Sequence, residues 1–160
     1  IRDKLVTGVQ TCALPISAET NLPSRWSPAG ENVAWSLNVG GRSAPVVFGN
    51  RVYLQTVTPG DPSLSQEQLI AVDADSGKIV WDRKFSIYMS DVPQHRAGWA
   101  SPAVDPATGN IYVFTVGAEL IALAPDGKAV WTRSLPEEYG AIKPLRRGAS
   151  RTNIIFVDGV

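Results

Sequence analysis

From Asn32 onward the chain is a succession of short apolar runs interrupted by turn residues. The runs Val33–Asn38, Pro45–Phe48, Arg51–Thr56, Gln68–Asp73 and Lys78–Phe85 form a first series. Ala100–Val104, Ile111–Val116, Glu119–Ala124 and Lys128–Leu135 form a second, and Asn153–Val157 stands alone. Several alternate apolar and polar residues with a period of two and are rich in Val, Ile, Tyr and Trp, which predicts strands. Gly49-Asn50, Asp75-Ser76-Gly77, Asp126-Gly127 and Asp158-Gly159 separate or follow runs as hairpin turns do, with Gly where a positive φ is needed. No stretch carries a long helical period, so the pattern predicts an all-β fold.

The runs repeat as units. Leu69-Ile-Ala-Val-Asp-Ala-Asp-Ser-Gly-Lys-Ile-Val-Trp81 matches Leu120-Ile-Ala-Leu-Ala-Pro-Asp-Gly-Lys-Ala-Val-Trp131. Upstream, Ser43-Ala-Pro-Val-Val precedes Arg51-Val-Tyr-Leu, and Ala100-Ser-Pro-Ala-Val precedes Asn110-Ile-Tyr-Val-Phe. A third copy starts at Gly148-Ala-Ser. Trp81 and Trp131 lie 50 residues apart, and Trp35 lies 46 before Trp81. Four short strands in a unit of that length predict a β-propeller blade. The expectation is a partial β-propeller of four-stranded antiparallel blades. Two blades (about 40–86 and 98–136) are followed by the start of a third (147–160). Such an arc cannot close a ring, so residues 18–160 are expected to expose unpaired edges and inter-blade faces. The turn at Asp158-Gly159, one residue from the last, suggests that the sequence is cut there and at its start.

Composition narrows the picture. Fifteen basic and fifteen acidic residues cancel among 160, which gives no argument for nucleic acid as partner. No apolar run is long enough to span a membrane as a helix. Residues 6–16, Val-Thr-Gly-Val-Gln-Thr-Cys-Ala-Leu-Pro-Ile, resemble the conceptual translation of a sequencing-adapter oligonucleotide. Residues 1–17 are therefore set aside from the folded domain. With them goes the only cysteine, Cys12, so no disulfide or thiol nucleophile is predicted. Residues 18–31, rich in Pro, Ser, Asn and Gly, read as an irregular arm, and 32–160 as the propeller segment.

The segment Ala71-x-Asp73-x-Asp75-Ser76-Gly77-Lys78-x-x-Trp81, shortened between Ala122 and Trp131, resembles the tryptophan-docking motif of pyrroloquinoline-quinone (PQQ) type propeller repeats. The blades are also similar to those of the BamB-like propellers of bacterial cell envelopes. The resemblance implies that the turn joins the last two strands of a blade and that the Trp packs against a neighbouring blade. Ala71, Asp73, Gly77, Trp81, Ala122, Gly127 and Trp131 are then the residues that build the blades. An indole suits that role because it buries a large flat surface and still donates a hydrogen bond. A periplasmic or other extracytoplasmic location is likewise implied by the resemblance alone.

Little in the sequence assembles into chemistry. PQQ dehydrogenases, which the blades also resemble, carry calcium, a catalytic Asp and often a disulfide between adjacent cysteines. This chain lacks the cysteine pair. Its Asp73, Asp75, Asp105, Asp126 and Asp158 sit in turn contexts, where Asp caps nearby backbone. Ser43, Ser101 and Ser150 recur at equivalent repeat positions, which reads as a structural role at a strand start. No catalytic residue, metal ligand or cofactor is assigned; PQQ and calcium belong here only if the parent is a true quinoprotein. One recurrence points to binding: Arg42, His95, Arg96, Trp99, Arg147 and Arg151 lie in the segments that enter successive blades. Together they could form a channel mouth for a small anionic ligand, through bidentate Arg contacts.

The function expected is a non-catalytic scaffold or protein-binding module of the cell envelope. The alternative is a piece of a PQQ-dependent oxidoreductase whose site lies outside this segment. A sensor domain fused to another module is a third possibility, since fold alone does not settle function.

Overall fold

The computed structural model describes residues 20–27, 30–61, 65–85, 97–140 and 154. They fall into two compact units, 1–33 and 34–160. The first unit has no strand among its described residues. It is held by local turns: Gly30 N–H donates to Ser27 O at 3.0 Å, and Asn32 Nδ2 to Arg25 O at 2.7 Å.

The described residues of the second unit form two four-stranded antiparallel sheets, each strand paired with the next in sequence. Blade A comprises β1 (Val46–Phe48), β2 (Arg51–Val57), β3 (Glu67–Asp73) and β4 (Ile79–Phe85). Blade B comprises β5 (Ala103–Val104), β6 (Ile111–Phe114), β7 (Glu119–Leu123) and β8 (Ala129–Ser134). One short helix, α1 (Leu135–Tyr139), follows β8. The structure is thus the predicted all-β partial propeller. The sequence pattern does not announce α1, which places Pro136 and the acidic Glu137 and Glu138 in its first turn. Glu138 pairs with Arg133 of β8.

The core lies between the sheets. Tyr53, Leu69, Ala71 and Phe85 of blade A meet Ile111, Val113, Ile121 and Leu123 of blade B, all buried. Each is one phase of a period-two strand, as a half-buried pleated surface requires. Burying one such Leu or Ile side chain contributes about 1.5–3 kcal/mol. The outer strands β4 and β8 are mostly exposed and carry Asp82, Arg83, Lys84 and Arg133. Charges of this kind discourage edge-to-edge pairing.

The repeated motif has a shared geometry. Tyr53, Ala71 and Trp81 are register partners across three strands, and so are Tyr112, Ala122 and Trp131. Alanine in the middle leaves room for the outer rings, whose centroids stand 6.0 and 5.9 Å apart. A bulge interrupts the ladder after Ala71 and again after Ala122. It adds Val80 or Val130 beside the tryptophan and increases the local twist.

The two inner tryptophans dock on glycine turns. Trp81 Nε1 donates to Pro125 O at 3.0 Å, and its ring lies against Gly127. Trp35 repeats this one blade earlier: Nε1 donates to Ala74 O at 2.8 Å, with the ring against Gly77. Both glycines have positive φ, +84° and +69°. A Cβ would stand 2.9 Å from the Trp81 ring at Gly127, and 2.6 Å from that of Trp35 at Gly77.

Residues 33–38, read from sequence as a strand, form none. Among the described residues no strand pairs with them. Trp35, Leu37 and Val39 nevertheless alternate half-buried with exposed neighbours, as an outer strand would. The predicted adapter segment, strand 153–157 (apart from Ile154) and the third blade lie outside the described residues.

Gly127→Ala is expected to cost about 2–4 kcal/mol, combining a left-handed backbone with collision against Trp81. Gly49 has a φ of +56°, and a methyl added there would meet nothing within 4 Å, so Gly49→Ala should cost only about 1–2 kcal/mol. Denaturant unfolding followed by circular dichroism compares the two. Equal costs would show that tryptophan docking does not stabilise the blade pair.

Candidate functional site

The polar groups that join the blades collect at the end where β2 and β6 finish and β3 begins. Here the segments entering the two blades run side by side. Arg42 N–H donates to Gly98 O at 3.1 Å, and Ala44 N–H to Ser101 Oγ at 2.9 Å. Ser43 Oγ donates to Gln55 O at 2.6 Å. Both serines thus hold backbone, as expected. The equivalence expected of them is corrected, however: they stand one residue apart in the repeat, because Val46 and Ala103 are the residues opposite Tyr53 and Tyr112. Pro45 therefore matches Pro102, and Ser43 matches Ala100.

Glu67 is the centre of this region. It is 2% exposed, at the first position of β3. Its Oε1 accepts from Gln55 Nε2 at 2.9 Å and from Gly98 N–H at 2.8 Å. Its Oε2 accepts from Val116 N–H at 2.7 Å. Gln55, fully buried, also donates to Phe114 O at 3.0 Å. One carboxyl thereby ties blade A to the turn of blade B and to the segment leading into it. Turn geometry presents the donor: Ala118, with φ of 62°, closes β6 onto β7 by donating to Thr115 O at 2.9 Å. Burial pushes the Glu67 carboxyl up, against the opposing pull of the Val116, Gly98 and Gln55 donors. Gln55 Oε1 and Thr56 Oγ1 are buried, with no hydrogen-bond partner among the described residues.

Of the six residues predicted to line a channel mouth, the structure brings two together. The Arg42 guanidinium carbon lies 4.9 Å from the centre of the Trp99 ring, a cation–π contact. Arg42 is exposed and Trp99 half-buried. His95, Arg96, Arg147 and Arg151 lie outside the described residues, as does Ser150.

The aspartates serve turns. Asp73 Oδ1 accepts from Ser76 N–H at 3.0 Å and Ser76 Oγ at 2.8 Å, while Oδ2 pairs with Arg51 at 3.0 Å. Asp105 accepts from Ala107 N–H and Thr108 Oγ1, at 2.8 and 2.6 Å. Asp126 accepts from Lys128 N–H at 3.0 Å and pairs with its ammonium at 2.8 Å. The Ser76, Thr108 and Lys128 side chains hold the three carboxyls below the usual range.

Sequence reasoning missed Glu67 and Gln55 as the buried polar residues that join the blades. Glu67 falls just outside the strand expected at 68–73. The signal that could have found them is phase: Glu67 shares the period-two face of Leu69 and Ala71, and Gln55 that of Tyr53.

The model of a family described as outer membrane protein assembly factor BamB matches residues 16–141. Among solved structures, BamB from Moraxella catarrhalis is 20% identical, with a TM-score of 0.44 over 62% of this chain and 26% of that one. Quinohemoprotein alcohol dehydrogenase from Comamonas testosteroni is 22% identical, with a TM-score of 0.46 over 62% and 14%. A europium-containing methanol dehydrogenase is 23% identical, with a TM-score of 0.47 over 63% and 18%. The chain therefore spans about a quarter or less of each. No curated protein sequence matches it.

The raised Glu67 carboxyl sets a pH dependence. Its native form binds more protons than the unfolded chain between about pH 4, the ordinary glutamate range, and the elevated native value. Its contribution is complete below that window and is lost as pH rises through it. Glu67→Gln removes the titration but turns an amide N–H₂ toward the N–H donors. The cost of the substitution should therefore be largest near pH 4 and shrink toward neutrality, as read from urea unfolding at several pH values. A cost that grows with pH would mean that the donors outweigh burial.

Proposed function

Since the chain belongs to the PQQ-like propeller-repeat family of outer membrane protein assembly factor BamB, we propose that its blades form part of a non-catalytic scaffold that binds protein in the bacterial cell envelope. The observation that carries this reading is the family match across residues 16–141. The side-chain chemistry agrees with it. Asp73, Asp105 and Asp126 are occupied in turns, and Glu67 is enclosed by N–H donors between blades. Each of these carboxyls is thus engaged in holding the blades, and the reading assigns them no cofactor.

The loop end offers what a scaffold needs. Arg42, steadied by Trp99, presents a cation at the surface beside a backbone fixed through Gly98 and Glu67. Such a charge would suit an acidic protein segment or a small anion. The reading carries with it a periplasmic location. No helix among the described residues is long and apolar enough to cross a membrane.

The complete gene product bearing these blades, incubated with PQQ and calcium, is expected to show no alcohol-dependent dye reduction. It is also expected to fractionate with the envelope and to be recovered bound to outer-membrane assembly proteins after crosslinking. Alcohol-dependent dye reduction above the apoprotein background would replace the scaffold by the oxidoreductase.

A further inference from the structure

Asp126-Gly127 is the one Asp-Gly or Asn-Gly pair among the described residues, and it belongs to the turn in which Trp81 docks. Such a pair is chemically labile. The backbone nitrogen that follows an aspartate can attack the side-chain carboxyl to form a cyclic succinimide, and a glycine there has no Cβ to hinder the approach. The other described aspartates are worse placed. Asp61 and Asp105 precede prolines, whose nitrogen has no proton to lose, and Asp73, Asp75 and Asp82 precede residues with side chains.

The docked turn holds both reacting groups out of reaction. Gly127 N–H donates to Ala124 O at 2.8 Å, so its proton and its direction are engaged. The Asp126 carboxyl accepts from Lys128 N–H at 3.0 Å and pairs with the Lys128 ammonium at 2.8 Å. The Lys128 side chain keeps it ionised, the form least open to attack by a nitrogen. Trp81 closes the arrangement: its ring fills the space beside Gly127, and its Nε1 fastens Pro125 O at 3.0 Å. The Asp126 side chain itself is half-exposed, so water for hydrolysis is at hand.

We propose that Asp126 is a site of isoaspartate formation gated by the docking of Trp81, and that the modification, once formed, keeps the tryptophan from docking again. Undocking frees the Gly127 peptide to turn. Its nitrogen gives up the N–H proton to solvent and bonds to Asp126 Cγ, while a carboxyl oxygen leaves as water. Water then adds to either carbonyl of the succinimide. Addition at the side-chain carbonyl restores aspartate. Addition at the main-chain carbonyl breaks its bond to the Gly127 nitrogen, and the chain then runs through Cγ as isoaspartate. The water lost is regained, and nothing is oxidised or reduced. The main chain is one methylene longer between Pro125 and Gly127. The carbonyl and the bare Cα that Trp81 requires together no longer stand in the docking relation.

The full 160-residue chain, aged at neutral pH across a urea series and mapped by tryptic digestion and electron-transfer mass spectrometry, tests this. Cleavage after Arg96 and Lys128 isolates Asp126 on peptide 97–128, apart from Asp158-Gly159. Native chain should form isoaspartate at Asp126 at least about tenfold more slowly than unfolded chain, because local opening populates the reactive turn only in part. Trp81→Phe keeps a ring and loses the N–H, so the native rate should rise about fivefold, the worth of one hydrogen bond. Equal rates in native and unfolded chain overturn the proposal, as does a folded Trp81→Phe that ages like wild type. Should Trp81→Phe lose its strand signal in circular dichroism, the wild-type urea series decides. Isoaspartate must then accumulate in step with hydrogen exchange of the Trp81 indole N–H, followed by nuclear magnetic resonance. A rate that stays at its native value after that N–H is released overturns the gating. In purified isoaspartate-bearing chain the same N–H should exchange freely, and a protected one would overturn the loss of docking.

Discussion

A four-stranded blade has two faces, and neither can be left to water without forfeiting the apolar burial that holds the sheet together. The docking of a tryptophan on a neighbouring glycine turn answers this constraint and orders much of what surrounds it. The indole covers the seam between sheets, and its N–H is satisfied by a carbonyl of the turn it covers. Alanine at the middle strand, the bulge before the tryptophan and the left-handed glycine all serve that one contact. Each would be a weak choice for an isolated strand or turn. Together they give a surface into which a flat ring fits.

At the opposite end of the sheets the joint is polar. Glu67 gathers N–H groups from Gln55, Gly98 and Val116 into one buried carboxyl. An apolar filler there would leave backbone donors unsatisfied, at a cost of about 1–3 kcal/mol each. A charged filler must be dehydrated instead. The two ends of the inter-blade seam thus solve the same problem differently: one with dispersion and a single hydrogen bond, the other with a carboxyl surrounded by donors. The polar end also holds the backbone beside Arg42 and Trp99, so the rigidity of the seam extends to the surface offered to a partner.

The fold is largely legible in the sequence because repetition amplifies it. One Leu-Ile-Ala run is an ambiguous apolar segment, but two of them at matching distances from Gly-Lys and Trp define a blade. The turn aspartates are legible for a local reason: Asp73 and Asp126 lie within a few residues of a glycine and serve nearby backbone. Glu67 is not. Its role depends on Val116 N–H, 49 residues away, and on Gly98 N–H, 31 away, and no local pattern announces such partners. The strand expected at 33–38 fails on a related ground. Its alternation is real, but a strand is defined by its neighbour. The meeting of Arg42 with Trp99 follows from repeat position, since both enter a blade at the same stage.

The two sockets for tryptophan differ in length. At blade A the accepting carbonyl, Ala74, lies three residues before the glycine; at blade B it is Pro125, two residues before. One loop has a serine and an extra residue, and the other a proline that has no N–H to offer. Both present a carbonyl and a bare Cα in the same relation to an incoming ring. What is recognised is a shape that several loop sequences can build. Blades of this kind can therefore diverge in their turns, gaining or losing a residue, while still fitting the neighbour they inherited.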